Sequence, residues 1–441
     1  MRVLLVVYDN GSFIHWFPLG TAYVAAALEK AGHEVVVYSK DQHHWPPEHL
    51  TEYLDSNWFD VVGVGVIAGY WQYRELLRIS EAINASRQRP FFVLGGHGPS
   101  PEPEFFMRKT GADAVVIGEG ERAIVDLMKD PKPGIYRGAL IKDVDSIPHP
   151  AWHLFPIDYY SLMREPNIRN DERCFPMVTA RGCPFKCNFC YRMDEGIRMR
   201  SVESVVEEIR ILKRDYGISY FAFMDELLMA GPKRTVELCE AFIPLNIRWS
   251  CMGRLNYATK EMVTLMKRAG CAFIGYGIEC MDDQVLKNMN KNLTVDQITK
   301  GIEATLAAGV SPGFNIIFGN IGEDGKTLQA GVDFLLKYDD HSQLRTIRPV
   351  TPYPGSPLYY KAIEDGLLKD AEDFYENRHV NSDLPSVNFT DISDAEYMQC
   401  LYAANVTLLE NYHGHQLEAQ KEQFRKLYFD RDTSFRGLRQ T

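Results

Sequence analysis

The stretch Ala180-Arg181-Gly182-Cys183-Pro184-Phe185-Lys186-Cys187-Asn188-Phe189-Cys190-Tyr191 decides how this chain is read. Its three cysteines fall at the spacing CxxxCxxC within eight residues. Three thiolates so close together can hold three corners of one iron–sulfur cluster, a group usually held by cysteine thiolates. No fourth cysteine stands near enough in sequence to close it, and a metal position without a protein ligand is where chemistry occurs. Zinc is the rival, but zinc sites come as two pairs of ligands separated by a loop, and no second pair stands at a suitable distance. Three chance cysteines are the bland alternative.

These residues resemble the signature of the radical S-adenosylmethionine (SAM) enzymes, which often place an aromatic residue, here Phe189, just before the third cysteine. The resemblance implies a 4Fe-4S cluster on Cys183, Cys187 and Cys190, with SAM on the open iron. It further implies reductive cleavage of SAM to a 5′-deoxyadenosyl radical that takes a hydrogen atom from the substrate.

Upstream, apolar runs at 2–7, 34–38, 59–67, 90–94 and 114–117 read as strands. Helical stretches at 22–31, 74–86 and from 123 on alternate with them. Such alternation predicts an open parallel sheet with helices on both faces and ligands beyond the carboxyl ends of its strands. The turns at those ends are Asp9-Asn10-Gly11 with Pro18-Leu19-Gly20, Gly95-Gly96-His97-Gly98-Pro99-Ser100 and Gly118-Glu119-Gly120-Glu121. Glycines there let backbone approach a ligand and supply amide donors, although each alone is only a tight turn. Gly63-Val64-Gly65-Val66-Ile67-Ala68 formally matches a dinucleotide fingerprint, but it lies inside a strand rather than in the turn after the first.

Taken in order, these turns look like the cobalamin-binding domain that precedes the cluster domain in one large radical SAM class. The resemblance places cobalamin against Asp9, Asn10, Leu19, Gly20, Gly65, Val66, Gly96, His97, Gly98, Gly118, Glu119 and Gly120. Cobalamin domains of the methionine synthase type carry DxHxxG after the first strand, where this chain reads Asp9-Asn10-Gly11-Ser12. No protein histidine is therefore expected on cobalt. The segment 69–73, with Tyr70 and Trp71, reads as a loop covering its lower face. His97 reads as a corrin or tail contact.

Residues 141–173, rich in proline and aromatics, read as an extended linker. From 176 the alternation resumes: strands at 176–179, 220–224, 248–252, 273–278, 313–318 and 344–350, with helices between. Six such strands match the partial barrel of the radical SAM family, whose active sites lie at the carboxyl ends of strands. By resemblance, Asp225 or Glu226 accepts from the SAM amino group, and Ser250 and Arg254 meet its carboxylate. Glu279 binds the ribose, and backbone near Phe189 and Val350 holds the adenine. Tyr353, in the turn after the last strand, is a substrate candidate. Each could equally be a solvated charge at a strand end. Residues 367–441 are polar and aromatic, with helices expected at 395–412 and 415–429, and by analogy close the barrel mouth.

The fold class expected is therefore α/β. A Rossmann-like open parallel sheet occupies 1–140, a linker 141–173, a partial (β/α)6 barrel 174–366 and a mostly helical region 367–441. With 441 residues and 45% apolar composition the chain has room for these units. A net charge of −11 argues against nucleic acid as the main partner. No apolar run reaches membrane-span length, and the apolar start is too short for a secretory signal. Nine cysteines, three clustered, fit a reducing cytoplasm, and an oxygen-sensitive cluster an anaerobic one.

The resemblance implies methylation of an unactivated carbon of a small-molecule or natural-product substrate, through the 5′-deoxyadenosyl radical and methylcobalamin. An electron donor of flavodoxin or ferredoxin type is implied with it. The alternatives are a non-methylating relative performing oxidative cyclisation or ring rearrangement, as in the anaerobic porphyrin-ring cyclases, and a cobalamin-binding sensor. A transfer-RNA methylthiolating enzyme would want a basic module and a second cysteine set, and neither is visible.

Overall fold

A computed structural model describes residues 1–12 and 14–430. The first sheet holds β1 (Arg2–Val7), β2 (Glu34–Ser39), β3 (Val61–Gly65), β4 (Phe91–Gly95), β5 (Ala114–Ile117) and β6 (Gly134–Arg137). All pair in parallel in the order β2-β1-β3-β4-β5-β6. Successive side chains of a strand point to opposite faces. Leu4 and Val6 accordingly pack with the helices Pro47–Ser56, Tyr70–Ala85 and Pro103–Thr110. Val3 and Leu5 pack with Leu19–Lys30 and Gly120–Leu127 on the other face. Burial on both faces is why β1 reads as an unbroken apolar run. The order reverses between β1 and β3, and that switch point opens the crevice where such sheets bind ligands.

The second sheet is also parallel and open. It runs β7 (Cys174–Met177), β10 (Tyr220–Phe223), β11 (Arg248–Gly253), β12 (Cys271–Glu279), β13 (Ser311–Phe318) and β14 (Arg348–Pro349). Between β7 and β10 an antiparallel ribbon, β8 (Ala180–Arg181) with β9 (Arg198–Met199), carries the cysteine stretch in its loop. Trp249 and Cys251 face the helical layer, where the Trp249 indole donates to the Ala269 carbonyl at 2.8 Å. Strand positions on the opposite face are small or polar, as at Cys174, Ala222 and Ser250. No described helix is long and apolar enough to cross a membrane.

Several local expectations are corrected. A sixth strand, β6, extends the first sheet, where Gly134-Ile135-Tyr136-Arg137 is too short and too exposed to show a period. The segment 69–73 is no loop: Tyr70 and Trp71 form the first turn of Tyr70–Ala85, with Gly69 as its cap. Residues 141–173 contain helical turns at Val144–Ser146, Trp152–Leu154 and Ile157–Tyr160. The two tail helices are one, Asp394–Arg425, because Gly414 does not break it. A mid-helix glycine costs only about 1 kcal/mol relative to alanine.

The C-terminal region ties the two units together. Tyr359, Phe374 and Tyr375 share one core with the first sheet. Tyr73 stacks on Tyr375 at 4.8 Å and donates its hydroxyl to Glu376 at 2.6 Å. Lys109 pairs with Glu372 at 2.6 Å and Glu376 at 3.1 Å. The helix Asp394–Arg425 then returns to the second sheet, where the Tyr397 hydroxyl donates to the Phe318 carbonyl at 2.7 Å.

Candidate active site at the meeting of the two sheets

The cysteine loop is held at both ends and in the middle. At its entrance Gly182 has φ +87°, and a Cβ there would stand 2.5 Å from the Gly196 carbonyl oxygen. That neighbour is backbone and the conformation disfavours any L side chain. Gly182→Ala is expected to displace the loop and lower iron bound per chain by more than half, measured after anaerobic reconstitution. In the middle, the Asn188 amide nitrogen donates to the Met289 carbonyl at 2.9 Å, and its carbonyl accepts from the Leu358 amide at 2.9 Å. The side-chain amides of Asn188 and Asn320 bond reciprocally at 3.0 Å each way. Asn320 is fully buried, so this pair is shielded from water. The Asn290 side chain adds a bond to the Lys186 carbonyl at 2.6 Å.

All three cysteines are free thiols. A hydrogen bond between the Cys190 and Cys187 thiols lowers Cys187 despite its burial and pushes Cys190 up. Burial raises Cys183. Among the described residues no three His, Cys, Asp or Glu side chains converge on a single-ion site. Zinc would need its ligands about 2.0–2.3 Å from one point. A polynuclear cluster takes each thiolate on a different iron and needs no such convergence. The donor set therefore fits a cluster.

Of the residues expected around SAM, Asp225, Glu226, Arg254 and Glu279 touch or electrostatically influence this loop, but their commitments differ. Asp225, 2% exposed, accepts from the Thr179 amide at 2.7 Å, the Ala180 amide at 2.5 Å and the Thr179 hydroxyl at 3.1 Å. Burial pushes it up to about 6 against those bonds. It shapes the backbone that enters the loop. Glu226 is exposed, raised by desolvation, and its charge is felt at Cys183. Ser250 is buried against Glu165, from the linker, and Tyr220. Arg254 donates to the carbonyls of Lys291 at 2.6 Å and Asn292 at 2.8 Å, and lies 3.4 Å from the centroid of the Phe185 ring. Its Nε has no partner among the described residues.

Glu279 ends β12 at φ +69°, a conformation that costs about 1–3 kcal/mol for a non-glycine residue and that clusters at functional sites. One of its oxygens pairs with Lys291 at 2.7 Å, and the Lys291 ammonium stands 6.0 Å from the Phe189 ring centroid. Phe189 is partly buried against the core. The Val350 amide donates to the Phe318 carbonyl at 2.8 Å. Tyr353 packs edge-on against His379 at 5.2 Å.

On the first sheet, the crevice at the β1/β3 switch point is open. A Cβ on Gly20 would meet no atom within 4 Å, and one on Gly65 would meet only the Thr21 hydroxyl, at 3.5 Å. Leu19 starts the helix beside them and Val66 is buried behind. Gly96 at φ +97° lies so close to the Val66 carbonyl that a Cβ would be 2.6 Å from it, and Gly98 approaches the Ile67 carbonyl similarly. Gly118 and Gly120 flank Glu119 at the end of β5. Gly20 and Gly65 leave this edge clear of side chains while Gly96 and Gly98 let the turn after β4 pack tightly on the end of β3, an open cradle that fits a large, flat ligand.

Asp9 and Asn10 are instead occupied by protein. The Trp71 indole donates to the Asp9 carbonyl at 2.9 Å, and Gln72 to the Asn10 side chain at 3.1 Å. His44 pairs with the Asp9 carboxylate at 2.9 Å. Tyr70 lies edge-on to His379 at 6.0 Å. Glu119 is occupied as well: it accepts from Arg181 at 2.7 Å, Arg198 at 2.8 Å and the Ile141 amide at 2.7 Å. Arg181 also pairs with Glu121. The turn after β5 is thus bolted to both strands of the ribbon that carries the cysteines. His97 adds a second link, meeting the Tyr191 ring edge-on at 5.7 Å. The carboxyl ends of the two sheets consequently face one space. Sequence reasoning missed Asn188, Arg198 and Glu165, since the partners that tie them into the site, Asn320, Glu119 and Ser250, lie 79 or more residues away.

A cluster-binding half-barrel bolted to a sheet with a switch-point cradle defines a two-cofactor enzyme class. Comparison with known proteins agrees. Residues 13–128 match the B12 binding domain family and residues 177–335 the Radical SAM superfamily. The chain belongs to the cobalamin-dependent radical SAM family, whose cofactors are a 4Fe-4S cluster, SAM and cobalamin. It is 29% identical to an uncharacterized methyltransferase of Pyrococcus horikoshii over 408 residues, covering 83% of this chain and 84% of that one. It is 25% identical to the anaerobic magnesium-protoporphyrin IX monomethyl ester cyclase of Rubrivivax gelatinosus, covering 85% and 72%. Its fold matches the radical S-adenosylmethionine methyltransferase TsrM of Kitasatospora setae, solved with cobalamin and a [4Fe-4S] cluster, at TM-score 0.65 and 18% identity, covering 84% and 79%.

Proposed function

We propose that this protein methylates an unactivated carbon of a small-molecule substrate held between the two sheets. The observation that carries the reading is the joining of the cysteine loop to the cradle through Glu119, Arg181 and Arg198. Two distant sites would need no such bolt. When bound, the cluster with SAM supplies a hydrogen-abstracting 5′-deoxyadenosyl radical and cobalamin supplies the methyl group, while the protein orients them and excludes side reactions.

Cys183, Cys187 and Cys190 would hold the cluster. Glu226, without a hydrogen-bond or ion-pair partner among the described residues, would accept from the SAM amino group, while Asp225 keeps the loop backbone in place. Glu279 would offer its remaining oxygen to the ribose, with Lys291 fixing the carboxylate. Leu19, Gly20, Gly65, Val66, Gly96, Gly98, Gly118 and Gly120 would line the cobalamin cradle. Tyr70 and Trp71, on a helical turn rather than a loop, would present a rigid floor to it. Tyr353 would border the substrate. Nine free cysteines and an oxygen-sensitive cluster suit a reducing cytoplasm, with a flavodoxin- or ferredoxin-type donor as the electron source.

The likeness to a porphyrin-ring cyclase keeps oxidative cyclisation as a second reading. Product analysis separates them. Methyl transfer is expected to give S-adenosylhomocysteine, 5′-deoxyadenosine and a substrate carrying one more methyl group. 5′-Deoxyadenosine without S-adenosylhomocysteine would reject methylation in favour of the second reading.

A further inference from the structure

We propose that Arg192 is the receiving group for an oxyanion at the mouth of the half-barrel, a carboxylate or phosphate-type group carried by SAM or by the substrate. The proposal rests on the enzyme reading above and specifies the chemistry of what the site takes. Arg192 stands two residues after Cys190, beside Tyr191, which meets the cradle at His97. Its Nε and Nη1 are buried with no acceptor among the described residues. The acids nearest in sequence are engaged elsewhere: Asp194 with Arg198 at 3.2 Å and Glu195 with Lys186 at 3.6 Å. The acids at the end of β5, Glu119 and Glu121, are both held by Arg181. Glu226, at the end of β10, feels the Arg192 charge without forming an ion pair with it.

Two guanidinium nitrogens shut off from water without an acceptor are costly, and the planar fork fits carboxylate and phosphate oxygens two at a time. The guanidinium that the sequence suggests for an anion, Arg254, already spends its Nη2 on two carbonyls and its face on Phe185. Arg192 and Glu226 are near enough for their charges to interact, yet neither has an ion-pair partner among the described residues, and the Glu226 charge is also felt at Cys183.

The test uses the full chain, anaerobically reconstituted, as wild type, Arg192→Gln and Arg192→Lys, with iron and cobalt content as the check on integrity. SAM is titrated by the change it causes in the electron paramagnetic resonance (EPR) spectrum of the reduced cluster. Methylphosphonate is titrated by calorimetry against SAM-loaded protein. Arg192→Gln is expected to weaken one of the two by about tenfold or more, and Arg192→Lys, lacking the fork, by less. Weakened SAM binding assigns the anion to its carboxylate. Weakened methylphosphonate binding with SAM unchanged assigns it to the substrate. Both at wild-type strength in fully loaded Arg192→Gln overturns the proposal. So does cofactor loss in Arg192→Gln that Arg192→Lys restores with both titrations unaltered, since Arg192 would then be a structural charge. Neither titration requires methyl transfer, so an enzyme of the second reading would still give a readable answer.

Discussion

Cys187→Ala protein is expected to bind less than about one iron per chain where the native protein binds about four. Its SAM cleavage is expected to fall at least about a thousandfold, equivalent to about 4 kcal/mol of barrier. The reason lies in the loop. Cys187 is the most buried of the three ligands and shares a hydrogen bond with Cys190. The loop around it is fixed by Asn188, Asn290 and Asn320 rather than by the metal alone, so the remaining cysteines cannot swing in to replace it. Cys400→Ala is the control. That thiol lies on the helix Asp394–Arg425, outside the loop, and its loss is expected to leave iron content and cleavage unchanged. Iron analysis and 5′-deoxyadenosine release measure both. Retention of a full complement of iron by Cys187→Ala would remove this cysteine from the ligand set.

Glu119→Ala is expected to destabilise the folded chain by about 3–5 kcal/mol, the cost of stripping one partner from a buried ion pair. The Glu119 side chain is 5% exposed and serves Arg181, Arg198 and the Ile141 amide together, so its removal leaves two guanidiniums short of an acceptor. Burial opposes ionisation of Glu119, but Arg198, the Ile141 amide and Arg181 hold its carboxyl below the ordinary 4.5. A carboxyl depressed in the fold contributes stability that is present above its unfolded value and lost as pH falls through the folded one. The gap between native and Glu119→Ala proteins is therefore expected to be full at neutral pH and to shrink below about pH 4.5. Urea unfolding across pH measures it. A variant as stable as the native chain at neutral pH would show that the bolt between the units carries no load.

Periodicity made most of both sheets legible, because parallel strands buried on two faces stand out as apolar runs such as Val3–Val7. β6 and the ribbon β8/β9 were not legible. Their residues are few and partly exposed, and their pairing is decided by tertiary contact. The chemistry of the site was legible by type and place, since Cys183, Cys187 and Cys190 are adjacent in sequence. What each acid or base is bonded to was not. Asp225 and Glu226 look interchangeable in sequence, yet one is buried on backbone amides and the other is exposed. Glu119 sits in a glycine-rich turn that reads as a ligand contact, and only the fold brings Arg181 and Arg198, 62 and 79 residues on, to claim it. Long-range pairing of this kind leaves no local pattern to read.

The central claim is that the cluster loop and the cradle at the β1/β3 crevice open on one shared space. Its most direct test is the EPR spectrum of anaerobically reconstituted protein in which the reduced cluster and cob(II)alamin are both paramagnetic, alongside metal analysis. About four irons and one cobalt per chain, with the two signals broadened or split by each other, is the expected result. Full iron and cobalt with two signals that simply add would contradict it, because the two cofactors would then be bound too far apart to act on one substrate.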